Sequence, residues 1–196
     1  MSEFEKEVSE ARPGSGRVFF LSCCRGSRPS FGSQLIFWFL TVAGILLDLW
    51  SKKEVFDWLR QQGVGSFPVI DGFLQLVMAE NAGAAFGMAA GQRGLLIMIS
   101  FVALVVIFVV FLFSGAERRL VQIALGLFAA GVGGNLYDRI FNDGRVRDFI
   151  DVMYWPGRHW PAFNVADSML CVAVALIIIS GFFTEKQSQE RAGQRG

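Results

Sequence analysis

The chain of 196 residues contains one histidine, His159, and three cysteines, Cys23, Cys24 and Cys171. A single histidine excludes a multi-histidine metal centre. Two adjacent cysteines and one inside an apolar run provide neither a disulfide framework nor a metal-ligand spacing. Charge is also scarce. Asp, Glu, Lys and Arg make up 18% of the residues, against about 25% in soluble domains. The formal net charge is only +1, so no bulk electrostatic attraction to nucleic acid exists. Serine or cysteine nucleophile chemistry lacks a positioned base: His159 reads as a loop residue, and Cys171 as a small lipid- or helix-facing residue. No metal or cofactor is expected.

What remains is apolar. Hydrophobic residues make up 53% of the chain and cluster into runs long enough to cross a bilayer, which takes about 17–25 helical residues. The runs are 33–49, 94–113, 120–136 and 163–183. The second carries no charge. The third places Gly126, Ala130 and Gly134 at i, i+4 and i+8, a stripe of small residues that lets helices approach closely. The expected fold is an all-α membrane protein with four transmembrane helices in one domain, 33–183. Between the first two runs, 53–62 can form an interfacial amphipathic helix. Residues 67–77 can form a small hairpin around the Asp71-Gly72 turn signal. Residues 1–32 read as a disordered polar tail and 184–196 as a second tail.

Against this background Asp167 stands out, about one turn inside the last run. A carboxylate at the centre of a spanning helix costs roughly 2.5–3.5 kcal/mol, and less near an end. Such a residue is a functional candidate with a partner to be found. Parity supplies the partners. With four spans, the connections 50–93 and 137–162 lie on the same side of the membrane. Asp48, Asn81, Asn135, Asp138, Asp148, Asn164 and Asp167 therefore gather at one membrane face. Lys52 shares a helix face with Asp48 at i+4; the pair also reads as an ion pair ending the span. Trp50, Trp58, Tyr154, Trp155 and Trp160 fall on the same side, as an interfacial aromatic belt. Of the other acids there, Asp143 and Asp151 read as solvated loop residues, and Asp138 beside Arg139 as a candidate structural ion pair.

Two carboxylates without metal ligands suit acid/base work on water. Like-charge repulsion keeps one protonated while the other is ionised. The ionised group takes a proton from water, and the protonated one polarises a carbonyl.

Five motifs then occur in order: Asp48-Leu49-Trp50-Ser51-Lys52, Asn81-Ala82-Gly83-Ala84-Ala85-Phe86-Gly87, Gly134-Asn135-Leu136-Tyr137-Asp138-Arg139, Val146-Arg147-Asp148-Phe149-Ile150 and Phe163-Asn164-Val165-Ala166-Asp167. Together they resemble the lipoprotein signal peptidases, the type II signal peptidases of bacteria, across about 33–183. Leu49 departs from the family's usual Gln, and the turn between Arg139 and Asp148 is one residue longer. The resemblance implies a multi-pass enzyme of the bacterial inner membrane with cytoplasmic termini and an extracytoplasmic site. It implies an aspartyl endopeptidase that removes the signal peptide of diacylglyceryl-modified prolipoproteins, cleaving before the lipidated cysteine. Asp148 and Asp167 would be the catalytic pair. Asn81, Asn135, Asp138, Arg139 and Asn164 would surround them, with Asp48 and Lys52 in support from the first span. Segment 50–93 would supply a small extracytoplasmic β-cradle and the interfacial helix. Membrane lipids and globomycin-type peptide inhibitors would be further partners of a monomeric enzyme. Two rival readings are a small transporter with Asp48, Asp138 and Asp167 as proton relays, and a non-catalytic scaffold built on the glycine-rich span. The first predicts acids spread through the bilayer depth; the second leaves the polar motifs unexplained. An aspartyl peptidase acting on a different membrane substrate is the enzymatic alternative.

Overall fold

The structure, a computed structural model, describes residues 29–83, 91–113 and 119–193, with side chains through residue 182. Most of the expected N-terminal tail and Ala84, Ala85, Phe86 and Gly87 lie outside the described residues. Helix α1 spans Phe31–Gln61 and is capped by Ser30, whose hydroxyl accepts the Ser33 N–H at 3.3 Å. The expected interfacial segment is helical, but it continues the first span without a break. No glycine or proline interrupts the chain between Gly44 and Gln61, and the Asp48–Lys52 pair bridges consecutive turns. At about 1.5 Å per residue α1 is roughly 46 Å long, so it outreaches a hydrocarbon core of about 30 Å. Gly63, at φ +68°, lets the chain turn away.

Strands β1 (Ser66–Ile70) and β2 (Leu74–Asn81) form the expected hairpin, with Gly72 at φ +72° in its turn. Helices α2 (Arg93–Phe113) and α3 (Arg119–Phe141) follow. The chain then departs from expectation. The stretch read as an outer loop contains β3 (Val146–Trp155) and the short β4 (Arg158–His159), giving an antiparallel sheet in the order β1-β2-β3-β4. Arg147, Asp148 and Asp151 interrupt the apolar alternation of β3, and its partner β2 lies far back in sequence, so no local period reveals it. Before Asp148 the chain makes a tight turn, with Asp143 at φ 48° and Gly144 at φ 82°. Helix α4 (Val165–Gly193) runs on through most of the segment read as a polar tail.

Among the described residues, four helices are long and apolar enough to cross a membrane. Their outer surfaces are rich in exposed Leu, Ile, Val and Phe, the composition a lipid-facing surface requires. Cys171 is likewise exposed. Helix α3 is central and packs against α1, α2 and α4. Phe37 stacks on Phe111 at 4.0 Å where α1 meets α2. The small-residue stripe works as expected. A Cβ on Gly126 would lie 3.1 Å from the Phe37 carbonyl oxygen of α1, and one on Gly44 would lie 2.6 Å from the Ala130 Cβ. Gly131 serves the other neighbour: a Cβ there would come within 2.6 Å of the Ala166 carbonyl oxygen. That contact is backbone and cannot swing aside. Gly131→Ala is therefore expected to destabilise by about 1–3 kcal/mol, the usual cost of overpacking. Gly181→Ala, with open space around it, should change the thermal midpoint in detergent little. Equal midpoints for the two variants would contradict this packing.

Candidate active site

Asp167 is placed by the way α4 begins. Asn164 caps the helix: its Oδ1 accepts the Asp167 N–H at 2.9 Å, while Asp167 Oδ2 accepts the Asn164 N–H at 3.2 Å. This reciprocal capping box ties both side chains to the first turn, where the helix dipole favours a carboxylate. Asp48 reaches across from α1 and accepts the Ala166 N–H at 2.8 Å. The start of α4 is thus held by two aspartates and an asparagine.

Asp148 arrives from β3. That strand is held between β2, where Ala79 pairs with Asp148, and Phe163, whose backbone bonds to Ile150. The Asn164 amide donates to Asp148 Oδ1 at 2.6 Å, and the Asn135 amide donates to Asp167 Oδ1 at 2.8 Å. The amides also meet each other, Asn164 Nδ2 donating to Asn135 Oδ1 at 3.2 Å. The two carboxylates are therefore linked through two carboxamides, at one end of the helix bundle.

Below them lies a charged cluster. Lys52 is fully buried, with Nζ 2.6 Å from Asp48 Oδ2, 3.3 Å from Asp138 Oδ2 and 3.0 Å from Asn135 Oδ1. Asp138 accepts the Arg147 guanidinium at 2.6 Å and the Arg147 N–H at 3.0 Å. The ion pair suggested by the adjacency of Asp138 and Arg139 is thus made instead with Arg147 and Lys52. Arg139 donates to the backbone oxygens of Gly83 and Asn135, at 3.2 and 3.4 Å, and adds positive charge near Asp148 and Asp167. Asn81, at the end of β2, accepts the Gly83 N–H at 2.9 Å and hydrogen-bonds Asp148.

All nine residues singled out in the sequence come together: Asp48, Lys52, Asn81, Asn135, Asp138, Arg139, Asp148, Asn164 and Asp167. Two features escaped. Arg147 enters the sequence reading only as part of a motif, and the available signal for its pairing with Asp138 is a basic residue beside a candidate carboxylate. Asp151, read as solvated, is 8% exposed. It lies 2.9 Å from His159 Nδ1 and accepts from the Gln75 amide, stapling β2, β3 and β4 together. The correction follows from the sheet, which buries what a loop would leave in water. His159 and Asp151 bond to each other, away from the contacts that join Asp148 to Asp167. Among the described residues no group of His, Cys, Asp or Glu could hold a metal ion.

Burial raises the Asp148 carboxyl from an ordinary 3.8 to about 7, and the neighbouring Asp167 charge adds to the effect. The Asn164 and Asn81 hydrogen bonds and the Lys52 charge pull the other way. Between about pH 4 and 7 the native protein thus holds a proton on Asp148 that the unfolded chain has released. Stability from this group is full below the unfolded value and is lost as pH rises through about 7. Asp148→Asn should flatten that part of the stability–pH curve, measured by denaturation in detergent; an unchanged slope would contradict the assignment.

A family model described as signal peptidase (SPase) II matches residues 40–183. A lipoprotein signal peptidase of Geobacter sulfurreducens is 44% identical over 125 residues, covering 62% of this chain and 77% of the relative. That of Yersinia pestis is 36% identical over 162 residues, covering 81% and 93%. A solved structure described as a bacterial membrane enzyme superposes with a TM-score of 0.67 at 32% identity, covering 82% of this chain and 93% of the other.

Proposed function

The chain belongs to the signal peptidase II family, a multi-pass membrane peptidase family, and we propose that it is an aspartyl endopeptidase acting through Asp148 and Asp167. Its substrates are prolipoproteins whose cysteine already carries a diacylglyceryl group, and it cleaves just before that cysteine. The observation that carries the reading is the linkage of two carboxylates, from β3 and α4, through the amides of Asn135 and Asn164.

Asp167 meets amide and backbone donors on its two oxygens and is suited to act as base. Asp148, raised to about 7, is suited to act as acid near neutral pH. Water between them loses a proton to Asp167 as its oxygen bonds to the scissile carbonyl carbon. Asp148 gives its proton to the carbonyl oxygen. The tetrahedral intermediate then collapses: the C–N bond breaks, the leaving nitrogen takes the proton from Asp167, and the hydroxyl returns one to Asp148. Arg139 and Asn81 supply charge and hydrogen bonds beside the reacting centre.

Water and lipid must both reach such a site. Asp167 sits in the first turn of its span, near the interface, and the lipid-facing bundle lies directly below. Arg118 and Arg119, which sit in sequence between the second and third apolar runs, favour cytoplasmic termini by the positive-inside rule. This puts the site at the extracytoplasmic face of the inner membrane. Both carboxylates come from one chain, so a monomer suffices. Globomycin-type peptides would compete for the same site.

The test is cleavage by the purified full-length protein of two peptides of one sequence, with and without the diacylglyceryl group. The lipidated peptide should be cut before its cysteine and the other left largely intact. Equal cleavage of both, or of neither, would overturn the assignment.

A further inference from the structure

Lys52 is a fully buried ammonium in a membrane-spanning helix, an expensive placement that points to function. Its two carboxylate partners, Asp48 and Asp138, account for its charge. Its bond to Asn135 does something else. A carboxamide can turn either end toward a partner, whereas an ammonium has three donors and no acceptor. Lys52 Nζ donates to Asn135 Oδ1 at 3.0 Å, so the oxygen must face α1. The Asn135 NH₂ is thereby turned toward Asp167 Oδ1, at 2.8 Å.

The second amide is oriented from the opposite end. The Asp167 N–H, also donor-only, claims Asn164 Oδ1. Asn164 Nδ2 is left for Asn135 Oδ1 and Asp148 Oδ1. With the Asn164 N–H on Oδ2, Asp167 meets donors on both oxygens. Asp148 is hydrogen-bonded as well, by Asn164 and Asn81, but its burial favours the neutral acid, so the shared proton rests there.

We propose that Lys52 is a positioning residue: it sets the direction of the chain Lys52–Asn135–Asp167 and so directs the single proton of the carboxylate pair to Asp148. The inference rests on reading Asp148 and Asp167 as the working pair. The charged groups facing this chain are Asp48 from α1, Asp138 and Arg139 from α3, Arg147 and Asp148 from β3, and Asp167 from α4. Among them Lys52 is the one that donates to Asn135 Oδ1, through a charged bond of 3.0 Å that is shorter than the uncharged 3.2 Å bond the Asn164 amide makes to the same oxygen.

The test uses the full-length protein in detergent micelles and a fluorogenic peptide with a diacylglyceryl-modified cysteine. Lys52→Met removes the donors at similar length but strands Asp48. Asp48→Asn combined with Lys52→Met removes the charge pair together and keeps an acceptor for the Ala166 N–H. Infrared difference spectra follow the C=O stretch of the protonated carboxyl, assigned with Asp148→Asn and Asp167→Asn. In the wild type the band should vanish with Asp148→Asn. In the folded Lys52→Met or double-variant background it should survive Asp148→Asn and be lost with Asp167→Asn. There kcat should fall about 100-fold, the scale of a misplaced acid or base, with KM little changed. The acidic limb of kcat/KM should move up by about one to two pH units, the equivalent of one lost charged hydrogen bond. Lys52→Arg, which keeps donors in place, should retain the wild-type band assignment. A band that still vanishes with Asp148→Asn in both Lys52 backgrounds, with an unmoved acidic limb, would overturn the proposal and leave Lys52 a purely structural ion. A wild-type protein that cleaves nothing yet shows the expected band transfer would refute the peptidase assignment and support this one.

Discussion

Asp148→Asn and Asp167→Asn should each abolish cleavage of a diacylglyceryl-modified prolipoprotein, lowering kcat by about a thousandfold or more while the protein stays in the membrane. Asparagine keeps the volume of aspartate, so neither change opens a cavity. The two should differ in stability. Asp148 is buried and pushed toward its neutral form, and a neutral amide can still accept the Asn164 donor through its oxygen. Asp148→Asn should therefore be stabilising above about pH 7, where the native carboxylate is ionised in a poorly solvated place. Asp167 accepts the Asn135 amide on one oxygen and the Asn164 N–H on the other. An asparagine there turns its NH₂ against one of these donors and removes the charge from the start of α4, costing about 1–3 kcal/mol for the mismatched donor. Unfolding in micelles across pH, with cleavage assays on the same preparations, measures both effects. Near wild-type cleavage by either variant would remove it from the working pair.

The second large effect is expected at Asp138, which bonds to no part of the carboxylate pair itself. Its side chain is fully buried and serves the Arg147 guanidinium, the Arg147 N–H and the Lys52 ammonium at once. Asp138→Ala strands two cations and a backbone donor. Removing one partner of a buried pair costs about 3–5 kcal/mol, enough to consume much of the stability of a small domain. Activity should fall as well, because Arg147 precedes Asp148 and its N–H is one of the bonds that anchor β3 to α3. Asp151→Ala loosens only the sheet staple to His159 and Gln75 and should leave more of the activity. A midpoint loss for Asp138→Ala no greater than that of Asp151→Ala would show that the charged cluster does not hold the site together.

Individual residues show how much was legible beforehand. Asp167 could be found because apolar neighbours on both sides make its cost visible in the sequence. Asp148 could not be found in that way. Taken alone it is an acid in a polar segment, and only its place in an ordered set of motifs singled it out. Asp151, three residues later, looks the same in sequence and is buried on the sheet for a different purpose. Lys52 and Asp48 announced an i,i+4 pair, yet nothing local shows that the pair sits fully buried beneath the site. The continuity of α1 was readable in principle, since no helix breaker follows Gly44. The change from apolar to amphipathic composition suggested two helices where packing keeps one.

Four apolar runs and the parity of their crossings determined, without any coordinates, that these polar residues share one membrane face. The physical reason is strong and local: a segment without water must satisfy its own backbone, so each run becomes a spanning helix and the connections alternate sides. Which partners then meet at that face was decided only by the tertiary structure. Arg147 rather than Arg139 pairs with Asp138, β3 rather than a loop carries Asp148, and a lysine 83 residues before Asn135 orients its amide. These pairings depend on strand register and on the distance at which glycine-lined helices pack. Composition and local period carry no record of either.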